Sequence, residues 1–272
     1  MQTLDKLQIR TLGEAQVWVN GNPVQWRAES ARELFFYLLA HPEGHTREHI
    51  IEALWNIKSD ASASNRFRVT VHRIRAALGW PGALLEEYSR YRLSEETLGA
   101  SDVHVFYRVL EQAERATGLR QLELYQQALA LYQGEFLPSE DGEWASEIRE
   151  QLRAAYAQTE LKVAHLLCGQ GKCRASVAAQ ARALRADPYV GENHHQSFMR
   201  CLWQLEGKYA SVEYYRRFIR FLRDELGDTP MPETTELAEE IKRGADTNLG
   251  NAQGCPFAQR FAQPLLPARG PN

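Results

Sequence analysis

The chain has 272 residues, 44% of them hydrophobic and 25% charged, with a formal net charge of −3. That length accommodates two domains and the composition can bury a core, while the charge excludes a generally basic, polyanion-coating protein. Four cysteines, Cys168, Cys173, Cys201 and Cys255, are too few for a disulfide scaffold and match no zinc spacing.

No run of about 18 apolar residues offers a membrane span. Residues 1–10 lack the basic-then-apolar order of a secretory signal. The expectation is a cytoplasmic, nucleoid-associated protein with reduced thiols and no membrane partner.

Residues 7–26 read as short strands. Leu7–Arg10 and Ala15–Val19 alternate apolar and polar side chains, and Asn20-Gly21 is a hairpin turn whose two positions tolerate positive φ. Three helices are predicted next. The first, 28–40, places Leu34, Phe35, Leu38 and Leu39 at helical spacing and ends at His41-Pro42. The second, 46–55, has Thr46 as N-cap and Ile50, Ile51 and Leu54 as its apolar face. The third, 61–78, stops at Gly79 with Pro81 beyond it. A hairpin around Ser89-Arg90, between 83–87 and 91–93, follows.

From Ser101 onward the apolar period is that of helices. Seven are predicted: 102–116, 120–132, 142–168, 173–186, 191–206, 208–226 and 232–243, separated by Gly or Pro breaks. Paired helices of this length suggest a tetratricopeptide-like repeat. Tyr125, Tyr132, Trp144, Tyr156, Tyr209, Tyr214 and Tyr215 fall at helical spacing and are expected in the core more than at an interface. Residues 244–272 lack periodicity and read as a disordered tail.

The helix at 61–78 carries the functional signal. Phe67, Val71, Ile74 and Leu78 lie at i, i+4, i+7 and i+11, one apolar stripe able to face a core. The other faces are expected to carry Asn65, Arg66, Arg68, Thr70, His72, Arg73 and Arg75. No Asp or Glu occurs between Ala61 and Trp80, so intrahelical ion pairs cannot neutralise these arginines. One reading is a solvated basic face. The favoured one is a helix that enters the major groove, where arginine binds guanine bidentately and also reaches phosphate. Trp26, Trp55 and Trp80 are expected to pack in or beside the core, since base stacking belongs to single-strand binders.

The segments "LGEAQVWVNGNPVQW", "ARELFFYLLAHPEG", "TREHIIEALW", "NRFRVTVHRIRAALG" and "YRL" occur in this order over residues 7–95. The order resembles the OmpR/PhoB-type winged helix-turn-helix, particularly that of SARP (antibiotic regulatory protein) activators. The resemblance implies that Arg66, Arg68, Val69, Thr70, His72 and Arg73 face bases, that Asn65 and Arg75 sit near phosphates, and that Arg90 occupies the wing tip, where the family commonly has Gly. A second stretch, "YQGEFLPSEDGEWASEIREQLRAAY" with "LRADPYVGENHHQSFMRCLW" and "GKYASVEYYRRFIRFLRDELGDTPMPETTEL", is similar to the bacterial transcriptional activation domain over about 100–243.

Enzyme motifs fail. Gly169-Gln170-Gly171-Lys172-Cys173 has Leu166 where a phosphate loop needs its first Gly, and Cys173 where Ser or Thr should follow Lys. His194-His195 lacks an HExxH context and reads as packing. The expected protein is mainly α with a small antiparallel β component. A winged helix-turn-helix at 1–98 precedes a TPR-like helical domain at 99–243 and a tail at 244–272. The expectation is a non-enzymatic, cofactor-free and metal-free transcription activator. Its partners would be double-stranded promoter DNA, RNA polymerase and a second copy of itself on DNA. A repressor of the same architecture and a repeat-type protein adaptor are the alternatives.

Overall fold

The computed structural model describes residues 7–58 and 60–244. The described residues fold into two compact units, divided between Arg153 and Ala154. The expected domain limit at 98–99 therefore lies within the first unit. Of the predicted tail at 244–272, residues 245–272 lie outside the described residues.

In the first unit, β1 (Leu7–Arg10), β2 (Gln16–Val19) and β3 (Asn22–Pro23) form an antiparallel sheet in that order. Its second turn is the predicted one: Asn20 and Gly21 have φ of 52° and 80°, and Val19 pairs with Asn22. Helix α1 (Glu29–Ala40) buries Ala31 and every residue from Leu34 to Leu39, so it is the central element of this core. Trp26 packs on Phe35 at 5.2 Å between ring centroids.

Strand β4 (His45–Thr46) leads into α2 (Arg47–Trp55), where Thr46 Oγ1 accepts the His49 N–H as the expected cap. Helix α3 (Ala61–Leu78) begins with Asp60 Oδ1 accepting the Ala63 N–H at 2.7 Å and ends at Gly79 with φ 66°. A 3₁₀ turn at Pro81–Ala83 precedes β5 (Leu84–Glu87) and β6 (Arg90–Leu93). These pair antiparallel, and β6 also pairs β4, giving the order β4-β6-β5.

Helix α4 (Glu95–Gly99) was not expected. Five residues are too few to display a period, and its stability is local and tertiary: Ser94 Oγ caps Thr97 N, and Thr97 Oγ1 donates to Ala83 O. Helices α5 (Asp102–Arg115) and α6 (Gly118–Leu131) follow as an antiparallel pair. The Asp102 carboxylate accepts from Thr11 N at 2.8 Å, Thr11 Oγ1 at 2.6 Å and Leu12 N at 2.9 Å, tying the end of β1 to the start of α5. A strap at 134–140 crosses the same edge. Gly13 N donates to Glu135 O and Leu137 N to Thr11 O, both at 2.8 Å. A Cβ on Gly134 would lie 2.8 Å from Gly13 Cα, so only glycine permits this approach. The Arg149 guanidinium, from α7 (Glu143–Gly169), donates to the carbonyls of Phe136, Leu137 and Glu140.

The second unit holds the later part of α7 with α8 (Cys173–Ala186), α9 (Glu192–Glu206), α10 (Lys208–Phe221), a π-helical turn at Leu222–Leu226 and α11 (Pro232–Arg243). Each lies within a few residues of its predicted range. Two apolar clusters fill this unit, one around Val177, Leu184, Phe198 and Leu202, the other around Met199, Tyr215, Leu237 and Ile241. Glu160, 2% exposed, accepts from Nε and Nη2 of Arg182 and from the Tyr156 hydroxyl. Tyr125 and Tyr215 are buried as expected, whereas Tyr209 is 82% exposed on the first turn of α10. None of the described cysteines forms a disulfide. No helix among the described residues is long and apolar enough to cross a membrane.

Two outcomes follow from this packing. Phe67 is 1% exposed and meets Tyr91 at 4.7 Å between centroids. Phe67→Ala should cost ~3–5 kcal/mol in urea unfolding. An unchanged midpoint would mean that this ring faces outward.

His195 is 2% exposed, stacked 4.0 Å from Phe218, with Nδ1 paired to Tyr214 Oη and Nε2 to Pro188 O. Burial pushes it from 6.5 down to about 4. The unfolded chain therefore binds this proton first as pH falls. The His195 contribution to stability should be flat above pH 6.5 and decline by about 3 kcal/mol between pH 6.5 and 4. Urea unfolding across that range checks it: His195→Gln, which cannot titrate, should lack this component whatever its absolute stability.

Candidate nucleic-acid interface

Burial sets the rotation of α3. Ala63, Phe67, Thr70, Val71, Ile74 and Leu78 face the core, and Asn65, Arg66, Arg68, Val69, His72 and Arg73 are exposed. Thr70 departs from the expected outer face: it is 1% exposed and its hydroxyl donates to Arg66 O at 2.9 Å. Position 70 sits between stripe residues 67 and 74, where a 3.6-residue period brings it onto the buried side, and the i−4 carbonyl satisfies its hydroxyl.

The arginines divide into two groups. Arg68 and Arg73 make no hydrogen bond or ion pair among the described residues. Arg66 lies over the Trp55 ring at 4.2 Å, a cation–π contact that binds α3 to the end of α2. Trp55 thus flanks the core, as expected. Arg75 is half-buried, and its Nη2 donates to Leu84 O at 2.8 Å. It links α3 to the first wing strand rather than projecting to solvent.

The wing turn falls one residue earlier than expected. Glu87 pairs with Arg90, so Tyr88 and Ser89 are the two turn residues, with φ of 50° and 63°. Arg90 is therefore not at the tip. It opens β6, and its Nη1 donates to Gly44 O at 2.8 Å. Primed two-residue turns usually carry Asn or Gly, and the absence of both hid this turn. The tip residue is Tyr88, completely exposed. Arg92 spans the hairpin to Glu87 with two donors, at 3.1 and 2.8 Å.

Arg47 also escaped the sequence reading. It occupies the first helical position of α2, where a cation opposes the helix dipole. The Glu48 carboxylate at 2.7 Å raises its pKa, and Tyr91 and Glu86 of the wing lie in its field. That unfavourable placement was the available signal. Behind α1 and α3, burial and the Glu140 carboxylate raise the Glu33 pKa, and Arg66 opposes the shift.

The surface formed by the free face of α3 and the β5–β6 hairpin is convex, cationic along the helix and tipped by an aromatic ring. It can present two unpartnered guanidinium groups to paired acceptors on a base edge or to phosphate oxygens.

Comparison with known proteins identifies the family. Residues 101–242 match the model of the family described as the bacterial transcriptional activator domain. The chain is 29% identical, over an alignment of 281 residues, to the Regulatory protein AfsR of Streptomyces griseus. That alignment covers 99% of this chain and 28% of the relative. Its fold is similar to that of Mycobacterium tuberculosis EmbR, solved in complex with a low affinity phosphopeptide. The TM-score is 0.72 at 21% identity, covering 88% of this chain and 65% of EmbR. The chain thus spans under a third of the length of AfsR and about two thirds of EmbR. With more than half of its length matched by the family's model, the chain belongs to the bacterial transcriptional activator domain family, in the SARP-type layout that its sequence resembles.

Proposed function

We propose that this protein is a sequence-specific, double-stranded-DNA-binding transcriptional activator. In this reading α3 enters the major groove, Tyr88 carries the wing to the flanking backbone, and the helical domain at 99–243 contacts RNA polymerase or a second copy of the chain. The observation that carries it is the pair Arg68 and Arg73: exposed, unpartnered, and on a helix with no acidic residue. Guanidinium groups left without protein partners on a convex helix are suited to a polyanion. Asn65, Val69 and His72 share that face and are the other candidate base or phosphate contacts. Arg66, Arg75 and Arg90 are assigned supporting roles, holding α3 on α2, α3 on the wing, and the wing on the turn before β4. Thr70 acts through the core.

In the second unit a groove of about 400 Å³, lined by Phe198 and Leu202 with Arg174, Arg217, Glu206 and Glu213, offers a mixed apolar and charged surface for a protein partner. Membership of an activator-domain family favours activation over repression.

The operator is first obtained by mapping genomic binding sites, and a fragment carrying it is used for titration. Arg68→Ala and Arg73→Ala should each weaken binding by ~1–3 kcal/mol and relax the preference at one base pair. An Arg68→Ala/Arg73→Ala double variant that folds and binds the operator as tightly as the wild type would overturn the assignment.

If two copies dock on tandem half-sites, linkage makes the second docking effectively intramolecular. Half-sites should then lie ~10–10.5 base pairs apart. Inserting five base pairs should abolish tight binding and inserting ten should restore part of it. Equal affinity at all three spacings would mean that the copies bind independently.

A further inference from the structure

Outside α3 and the wing, titratable side chains gather at the turn between α1 and β4. His41 ends α1, Glu43 lies in the turn, and His45 opens β4. His41 Nδ1 is 3.6 Å and His45 Nε2 is 3.3 Å from the same Glu43 oxygen, and one ligand atom from each residue lies within 4.8 Å of the others. Bond lengths of ~2.0–2.2 Å in a tetrahedral zinc site put ligand atoms roughly 3.4 Å apart. Two of the three edges therefore already have the separation that a bound ion imposes. The third edge is within 4.8 Å.

One further feature points to a ligand. His45 Nδ1 is 2.6 Å from Tyr37 Oη, a hydroxyl that is itself buried. In the tautomer whose Nδ1–H donates to that oxygen, Nε2 offers its lone pair on the side that faces Glu43 at 3.3 Å. This is the outer partner that metal-binding histidines use to hold ring orientation and tautomer. His41 Nε2 is buried with no hydrogen-bond partner among the described residues. Its ring is positioned by packing, against Tyr37 at 4.5 Å and His45 at 4.7 Å between centroids, with Nδ1 on the Glu43 side. Trp144 covers Tyr37 edge-on at 5.6 Å, closing the inner side, while Glu43 remains accessible from solvent.

We propose that His41, Glu43 and His45 bind one divalent transition-metal ion of the Zn²⁺ class, and that the loaded site stiffens the base of the wing. Two imidazole nitrogens and one carboxylate leave a position for water, the donor set of an open tetrahedral site. The link to the wing is direct. Gly44, between the ligands, accepts the Arg90 guanidinium on its carbonyl. His45 pairs with Tyr91 across β4 and β6, and a Cβ on Gly44 would lie 2.7 Å from Tyr91 O. An ion that holds residues 41–45 in one conformation therefore also holds the strand that carries the wing turn. This site is independent of the DNA reading above, since its ligands are not on α3.

The test uses the untagged full chain, titrated with Co²⁺ and followed by its visible absorption, with Zn²⁺ as competitor. Saturation at one ion per chain is expected, with displacement by Zn²⁺. Glu43→Gln replaces an exposed carboxylate by an amide of the same shape and should weaken binding at least ~10-fold. Tyr37→Phe removes only the outer hydroxyl and should weaken it roughly 10- to 100-fold. Absence of saturable binding, or wild-type affinity in Glu43→Gln, would overturn the site. Hydrogen exchange at residues 90–93 should slow when Zn²⁺ is added. Unchanged exchange there in the Zn²⁺-loaded protein would overturn the coupling to the wing.

Discussion

The rotational setting of α3 governs what the first unit presents to its surroundings. Six residues of that helix, from Ala63 to Leu78, are buried under α1 and the wing strands, with Phe67 wedged between Trp55 and Tyr91. A helix packed along such a stripe cannot rotate without exposing apolar area worth about 1.5–3 kcal/mol for each large side chain. The free face is thereby fixed, and with it the direction of Arg68 and Arg73. The exposed cationic face and the stability of the core are two sides of one packing arrangement, which is why the residues between them, Thr70 and Arg75, serve the fold.

That helix works only if its neighbours are held in place, and cations are used for this repeatedly. Arg66 stacks on Trp55, Arg75 reaches the Leu84 carbonyl, Arg90 reaches the Gly44 carbonyl and Arg149 gathers three carbonyls of the 134–140 strap. A planar guanidinium with five donors suits this task better than an ammonium, because one side chain can satisfy several acceptors at fixed angles. A count of arginines in a DNA-binding domain therefore overstates the number available to DNA.

The Asp102 carboxylate explains why the first compact unit extends past the winged helix. Hydrogen bonds to a charged acceptor contribute about 1.5–3 kcal/mol each, and Asp102 accepts three from Thr11 and Leu12 at the end of β1. Together with the Gly13–Gly134 approach, it builds the N-terminal sheet onto the first helices of the activator domain. The pattern that defines a family segment, 101–242, and the packing that defines a compact body need not share a border.

The helices were legible in the chain because each needs a buried stripe, and a stripe imposes a period on the order of residues. The Asn20-Gly21 turn, the Thr46 cap and the Gly79 stop were legible because they rest on the conformational limits of single residues. Local chemistry likewise made Phe67 core and Arg68 surface. Pairings between residues distant in sequence were not legible. No local rule pairs Arg75 with Leu84 or Arg90 with Gly44, and the cluster of His41, Glu43 and His45, though close in sequence, depends on the turn geometry that brings their ligand atoms within 4.8 Å. The sequence by itself determined which residues could become helix, turn or core, since those outcomes depend on neighbours along the chain. Which arginines are left free for a partner was decided only by the tertiary structure, because a guanidinium is claimed by whichever carbonyl or ring the fold brings within its reach.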